Sequence, residues 1–470
     1  KSPYMLMKMD VVTCAMLSRL WVSLMAILSA IFITPYDTSN VSHSSSIFRA
    51  FASWDGVYYV DMAKNGYVYE NTHAFFPLFS LLARYLGSVL GVFLEETTAI
   101  IVAGWIISNV CFVLAARYLY LLGKILLQND TLAGRSAVFF CFCPSGIFMS
   151  SCYSESLMCF LSFGGMYYLE LYRTQKISTS RTWHLILSSI FFGLASATRS
   201  NGLLLSLYIA YYRLVESPSP IKSFMKFLSY WTFTALLGLV ATGLQVLYFA
   251  YGIAAYCPSF LPYTSPIMSL FGITSHIQTD RPWCEKVIPN ISAMYMFIQK
   301  EYWGVGAFAY YQLKQIPNFV LAMPMLTLAA YSLQVYFRVS SKTIIVLPAQ
   351  LRPYMVHLGF LLANALVVLH IQVITRFLCA NPPVFWAAGH LSMTYPTASK
   401  LLLLYFLVFT VLGSVILLRY FCVEPLIFWA AGHRSMTNPT ASKLLLLYFL
   451  VFTDLGSVMF SPFYPWTQTN

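Results

Sequence analysis

Charge is what this sequence is short of. Only 9% of its 470 residues are Asp, Glu, Lys or Arg, where an ordinary soluble domain carries about 25%. With 59% hydrophobic residues the chain has more apolar sequence than a soluble core uses, so the class is an all-α polytopic membrane protein. Acids are scarcest, 16 against 28 Lys and Arg, for a net charge of +12. The basic residues are scattered between apolar runs and form no stripe with interleaved aromatics, so nucleic acid is rejected as a partner. In a membrane protein such an excess marks cytoplasmic loops beside anionic lipid. Metal patterns are missing too. There is no HExxH, DxD or glycine-rich phosphate loop, and His73, His276, His390 and His433 lack ligand spacing; the sequence calls for no metal and no cofactor. CxxC pairs are absent, and most of the ten cysteines lie in apolar runs, where Cys behaves as a small hydrophobe. Cys257 and Cys284 share one polar loop and read equally as a bridge in an oxidising lumen or as two free thiols.

What the chain does have is long apolar runs. Val11 to Ile33 is long enough to span a bilayer and too long for a signal-peptide core. Further runs lie near 98–122, 135–150, 155–172, 184–200, 202–214, 228–250, 317–337, 354–374, 401–419 and 444–460. Several fall short of the ~20 residues a spanning helix needs, so broken or re-entrant helices are expected. The count is a bundle of about 10–11 helices, with 75–94 as an interfacial helix. The positive-inside rule then places the basic loops around Lys124 and Arg135, Arg173 to Arg181, Arg213 to Lys226 and Arg338 to Arg352 in the cytoplasm. The opposite face collects 34–97, the "PSGIFMSSCYSES" turn, the "TRSNG" turn, the loop 251–316 and "TRFLCANPPVFWAAGH" (375–390). Sequons at Asn40 and Asn290 fall on this second face and Asn129 on the first. One face is basic and plain; the other gathers acids, Trp, Tyr and Asn, and chemistry is expected there.

Asp55, between Trp54 and Gly56, stands about 20 residues past the first span. A carboxylate at a membrane surface suits general-base work on a sugar hydroxyl, with Trp54 to cover a sugar face; the plainer alternative is a loop Asp capping the next helix. Asp61 and Glu70 follow, so paired carboxylates are open. Glu155 opens an apolar run. It is either a functional group at membrane depth or a complement to a helix dipole. Arg199 and Arg376, each at a helix end on the second face, could hold a phosphate or snorkel to the interface.

The stretches "SWDGVYYVDMAKNGYVYENTHAFFP", "CPSGIFMSSCYSESL", "SATRSNGLL", "EYWGVGAFAYYQLKQIPNF" and "QVITRFLCANPPVFW" resemble, in order, GPI mannosyltransferase II (PIG-V type). The resemblance runs from about residue 10 to 390, and the closing "FYPWT" is family-like as well. It implies a GT-C class enzyme of the endoplasmic reticulum membrane with its active site facing the lumen. It also implies dolichyl phosphate mannose as donor and the mannosyl-glucosaminyl-phosphatidylinositol precursor as acceptor, which receives a second, α-1,6-linked mannose. The lumenal-loop acid then falls on Asp55, with Trp54, Glu70, Glu155, Arg199, Lys314 and Arg376 as substrate-binding candidates; Arg199, Arg376 or Lys314 would balance the donor phosphate. A small membrane partner subunit is left open. The family reads Arg-Trp-Asp-Gly where this chain has Ser53 before Trp54, and His-Asn where it has Asn71-Thr72. The rival readings are another lipid-linked glycosyltransferase with a different acceptor, and a transporter.

Residues 385–415 recur at 428–458 with all but three of 31 positions identical. Transporter repeats are larger and more divergent, so this is read as a recent duplication or an error of sequence assembly. Residues 1–423 are taken as the transferase domain, with a first lumenal loop 34–97 and a large lumenal loop 251–316. Residues 424–470 are a near-duplicate segment without catalytic function, because Arg434 and Asp454 interrupt the second copy.

Overall fold

The computed structural model describes residues 10–32, 47–175, 177–221, 223–257, 259, 281–288, 290–337 and 349–416. These are helical, with no strand among the described residues. The helices are α1 Val11–Phe32, α2 Asp55–Asn65, α3 Pro77–Leu90, α4 Glu96–Leu127, α5 Asp130–Cys141, α6 Glu155–Thr174, α7 Ser178–Ser196, α8 Ser206–Val215, α9 Phe224–Tyr256, α10 Ala293–Glu301, α11 Ile316–Phe337, α12 Arg352–Val367, α13 Ile374–Phe377, α14 Pro382–Thr394 and α15 Pro396–Ile416. Among the described residues, four stretches are long and apolar enough to cross a membrane: α1, α4, α9 and 318–337 of α11. The protein is therefore an all-α polytopic membrane protein. Asn40, the second copy (428–458) with Arg434 and Asp454, and the closing "FYPWT" lie outside the described residues.

Local chemistry sets the helix ends. Glu95 accepts from the backbone N–H of Thr97 and Thr98 at 2.9 Å each, which caps α4; those donors hold its carboxyl down at about 2. Asn129 caps α5 through Leu132 N–H. α4 packs on α6, and α6 on α7; here Phe112, Phe140 and Phe163 are fully buried. The segment 75–94 forms the single 14-residue helix α3, opened by Pro77 and packed along α4.

Broken helices occur where the short runs implied them. α5 stops after 12 residues and leads into the irregular turn 142–154. The "TRSNG" stretch is a tight 3-10 turn, Ser200–Leu205, between α7 and α8. A Cβ on Gly202 would lie 2.2 Å from Ala195 O, so only glycine permits that approach.

Residues 375–390, which the sequence groups with the turns of the second face, are largely helical: 374–377 form the short helix α13, and Pro382–Thr394 forms α14, buried from Pro382 through His390. Pro382 and Pro383 suit a helix start. The small stretch Ala387-Ala388-Gly389 lets α14 lie close against α5, where a Cβ on Gly389 would sit 2.4 Å from Ser136 Oγ.

Outside the bundle, a second apolar cluster joins Phe76, Tyr248, Phe249, Tyr256, Trp283 and Met294. The Cys257–Cys284 disulfide lies within it and settles the alternative left open by the sequence.

Candidate active site

Four segments far apart in the chain deliver one charged side chain each to a single point. Asp55 is the first residue of α2, Glu155 the first of α6, Arg199 leads into the 3-10 turn after α7, and Arg376 lies on α13. Arg376 joins the two acids. Its Nη1 donates to Asp55 Oδ2 at 2.7 Å and its Nε to Glu155 Oε1 at 2.6 Å. Arg199 Nη1 reaches the same Glu155 oxygen at 2.8 Å. The Glu155 side chain is fully buried, while those of Arg376 and Asp55 are 14% and 29% exposed. A carboxylate without solvent is costly unless paired; two guanidinium groups make the site neutral overall. Glu155 Oε2 nevertheless has no hydrogen-bond partner among the described residues.

Aromatic and backbone contacts fix this arrangement. The Arg376 guanidinium lies 4.5 Å from the Phe148 ring centroid and 4.9 Å from that of Tyr153, a cation–π seat. Tyr153 O–H donates to Ser53 O at 2.8 Å, Cys152 N–H donates to Phe51 O at 2.8 Å, and the Tyr59 and Ser154 hydroxyls are 2.8 Å apart. The loop before Asp55 and the turn before Glu155 are thus pinned together. Trp54, immediately before the acid, has φ 56° and ψ −126°. A bulky residue with positive φ is strained, and such strain persists where surrounding structure imposes it, often at reaction sites.

The structure places each of the sequence candidates. Asp55 stands in the first turn of α2 with its carboxylate on Arg376. Asp61 accepts from Asn65 Nδ2 at 2.7 Å and takes no part in the ion-pair group. Arg199 and Arg376 turn inward to Glu155, not outward to the interface. Lys314 is exposed in the turn Leu313–Gln315, outside this group. Trp54 is 37% exposed beside Asp55.

Glu70 lies elsewhere. Its carboxylate receives Arg281 through both Nε (3.0 Å) and Nη2, Trp283 Nε1 at 2.7 Å and Tyr302 O–H at 2.7 Å. Glu70 raises the pKa of Arg281, chiefly by these hydrogen bonds. Burial, then Glu70, lifts the Tyr302 hydroxyl to about 12. This cluster fastens the 70–74 turn to the 281–302 segment. Tyr59, Tyr153, Ser154, Arg281, Trp283 and Tyr302 were not singled out from sequence. Single Tyr, Ser and Trp residues carry no spacing signal in a chain with 33 Tyr.

Fold and site together define a polytopic membrane protein that holds two carboxylates against two guanidinium groups, with one carboxylate partly open to solvent. Compared with known proteins, residues 8–467 match the family model described as Mannosyltransferase (PIG-V), and the chain belongs to this family of glycosyltransferases. It is 30% identical over 397 residues to GPI mannosyltransferase 2 of Drosophila pseudoobscura pseudoobscura, covering 77% of this chain and 84% of that one. Against the human GPI alpha-1,6-mannosyltransferase 2 it is 30% identical over 386 residues, 73% of each chain. Among solved structures, the apo Archaeoglobus fulgidus oligosaccharyltransferase aligns over 96% of this chain and 60% of that one at TM-score 0.46 and 13% identity, a likeness too loose to transfer any residue's role.

Proposed function

We propose that the protein transfers mannose from dolichyl phosphate mannose to the 6-hydroxyl of the first mannose on the glycosylphosphatidylinositol precursor, in the endoplasmic reticulum membrane with the site facing the lumen. The relatives' names support the acceptor class and the α-1,6 linkage; the ordered sequence motifs support the donor. The observation that carries the chemistry is the Asp55–Arg376–Glu155–Arg199 group, where a part-exposed carboxylate stands beside two cations.

In an inverting displacement the acceptor oxygen bonds to mannose C1 as the bond from C1 to the phosphate oxygen breaks. The acceptor proton goes to Asp55, and dolichyl phosphate leaves as an anion. Asp55 is the general base, since its side chain is 29% exposed while Arg376 holds Oδ2 in place. Arg376 and Arg199 supply fixed positive charge for the departing phosphate, Glu155 keeps both guanidinium groups in place, and Trp54 covers a sugar face. Lys314, exposed and apart, is the weakest of the three phosphate candidates. Glu70 acts on substrate binding only through the loop that it fastens.

The test is complementation of cells lacking the second GPI mannosyltransferase. Restored surface anchored proteins and loss of the one-mannose precursor are expected; persistence of that precursor despite normal protein levels would sink the assignment. Orientation is checked by glycosylation reporters, expected to be modified in 251–290 and unmodified in 174–182.

A further inference from the structure

Arg19 lies inside α1, a helix long and apolar enough to cross a membrane, and is 3% exposed, yet among the described residues it meets no carboxylate. Its Nη1 donates to Gly146 O at 2.7 Å and to Ser150 Oγ at 3.2 Å, its Nη2 to Cys141 O at 3.2 Å and its Nε to Ser18 Oγ at 3.3 Å. The guanidinium lies 3.8 Å from the Phe112 ring centroid. An ionisable group at membrane depth is expensive and calls for a role.

The partners say what that role is. α5 has 12 residues, roughly 18 Å of helix against a hydrocarbon core of about 30 Å, so its last carbonyls and the irregular turn that follows need donors inside the bundle. Arg19 supplies them at Cys141 and Gly146, and its charge complements the C-terminal end of the α5 dipole. The same turn leads to both halves of the ion-pair group. Ser145 Oγ donates to Thr375 O at 2.7 Å, next to Arg376. Beyond Ser150, the turn runs through Tyr153 and Ser154 into Glu155.

We propose that Arg19 is a positioning residue for the transfer reaction: from α1 it clamps the 141–150 turn, and so sets where Glu155 and Arg376 meet Asp55. This rests on the function proposed above. A displacement of about 1 Å at reacting groups can cost up to 10²-fold in rate, so the clamp should appear in turnover before it appears in binding.

The test uses the full chain in microsomes, comparing Arg19→Met, Arg19→Lys and Asp55→Asn for abundance, thermal stability, kcat, and KM for donor and acceptor. Arg19→Met removes the charge and all four hydrogen bonds at similar volume. It is expected to accumulate, with kcat per molecule down about tenfold or more and both KM values within about twofold; Arg19→Lys should regain several-fold of that loss. Wild-type kcat in Arg19→Met, or a loss that only tracks abundance and is not relieved by Lys, overturns the proposal. Should Arg19→Met fail to accumulate, Ser150→Ala, with Asn109→Ala as control for the hydroxyl's own bond to Asn109 Oδ1, decides, because it keeps the charge and removes one acceptor of Arg19. A drop in kcat of about threefold at constant KM supports the clamp, and an unchanged kcat ends it. An active Asp55→Asn enzyme strikes the base assignment and leaves the clamp standing, whereas full turnover in Arg19→Met strikes the clamp alone.

Discussion

Two regions of this molecule are each built around a buried glutamate held by arginine, and they differ in what is left over. At Glu70, Arg281, Trp283 and Tyr302 satisfy both carboxylate oxygens. At Glu155, two arginines converge on one oxygen and the other has no partner among the described residues, while the linked Asp55 keeps 29% of its side chain exposed. A fully satisfied network rigidifies; an incompletely satisfied, charge-dense one is a candidate for chemistry. The first region ties loops together, and the second is where reaction is expected.

The comparison breaks most sharply at Asp55. Asp55→Asn keeps the shape and removes the proposed base. Turnover should fall 10²–10⁴-fold, about 3–5 kcal/mol at the transition state, with normal abundance and accumulation of the one-mannose precursor. Near wild-type turnover would reduce the acid to a helix-end residue. In the other region, replacing both Cys257 and Cys284 with Ser opens a loop closed across 27 residues. The loss expected is about 3.5 kcal/mol of stability, read as a lowered thermal midpoint, with turnover per folded molecule kept.

Glu70→Gln should be milder. It takes one charge from a pair whose Arg281 side chain is 32% exposed, and we expect about 2 kcal/mol, below the 3–5 kcal/mol of a fully buried pair. Here too stability should fall while kcat holds. A selective loss of kcat would move Glu70 into the reaction and erase the distinction between the two regions.

The smallest effect concerns acid. His73 is buried with both ring nitrogens unpartnered among the described residues, its ring stacked near Tyr248 and Tyr251. Burial pushes its pKa down to about 3. The unfolded chain therefore binds a proton first, and stability is lost as pH falls from the unfolded value near 6.5 toward 3. At pH 5.5 the loss is about 1.4 kcal/mol. His73→Phe, whose ring suits the aromatic surroundings, should flatten that slope in thermal melts between pH 7 and 5; an unchanged slope would assign it to other groups.

Much of the fold was legible because hydropathy needs no knowledge of neighbours. The runs at 11–33, 98–122, 228–250 and 317–337 reappear as α1, α4, α9 and α11, since a bilayer demands apolar length whatever packs beside it. The helix at 382–394 was not anticipated because its burial depends on Gly389 meeting Ser136 across the bundle, a contact with no local signature. Asp55, Glu155, Arg199 and Arg376 could each be picked out as charges at helix ends, but each carried a plausible bland alternative.

By itself, the sequence determined that this chain lives in a membrane and which family its ordered motifs resemble. Those properties are sums over residues or matches along the chain. Only the tertiary structure decided that Glu155 and Arg376, 221 positions apart, share one hydrogen bond, that Glu70 belongs to a different cluster, and that Arg19 closes the end of α5. The physical reason is that an ion pair is a matter of a few ångströms, and those distances are set by helix packing, which no local pattern records.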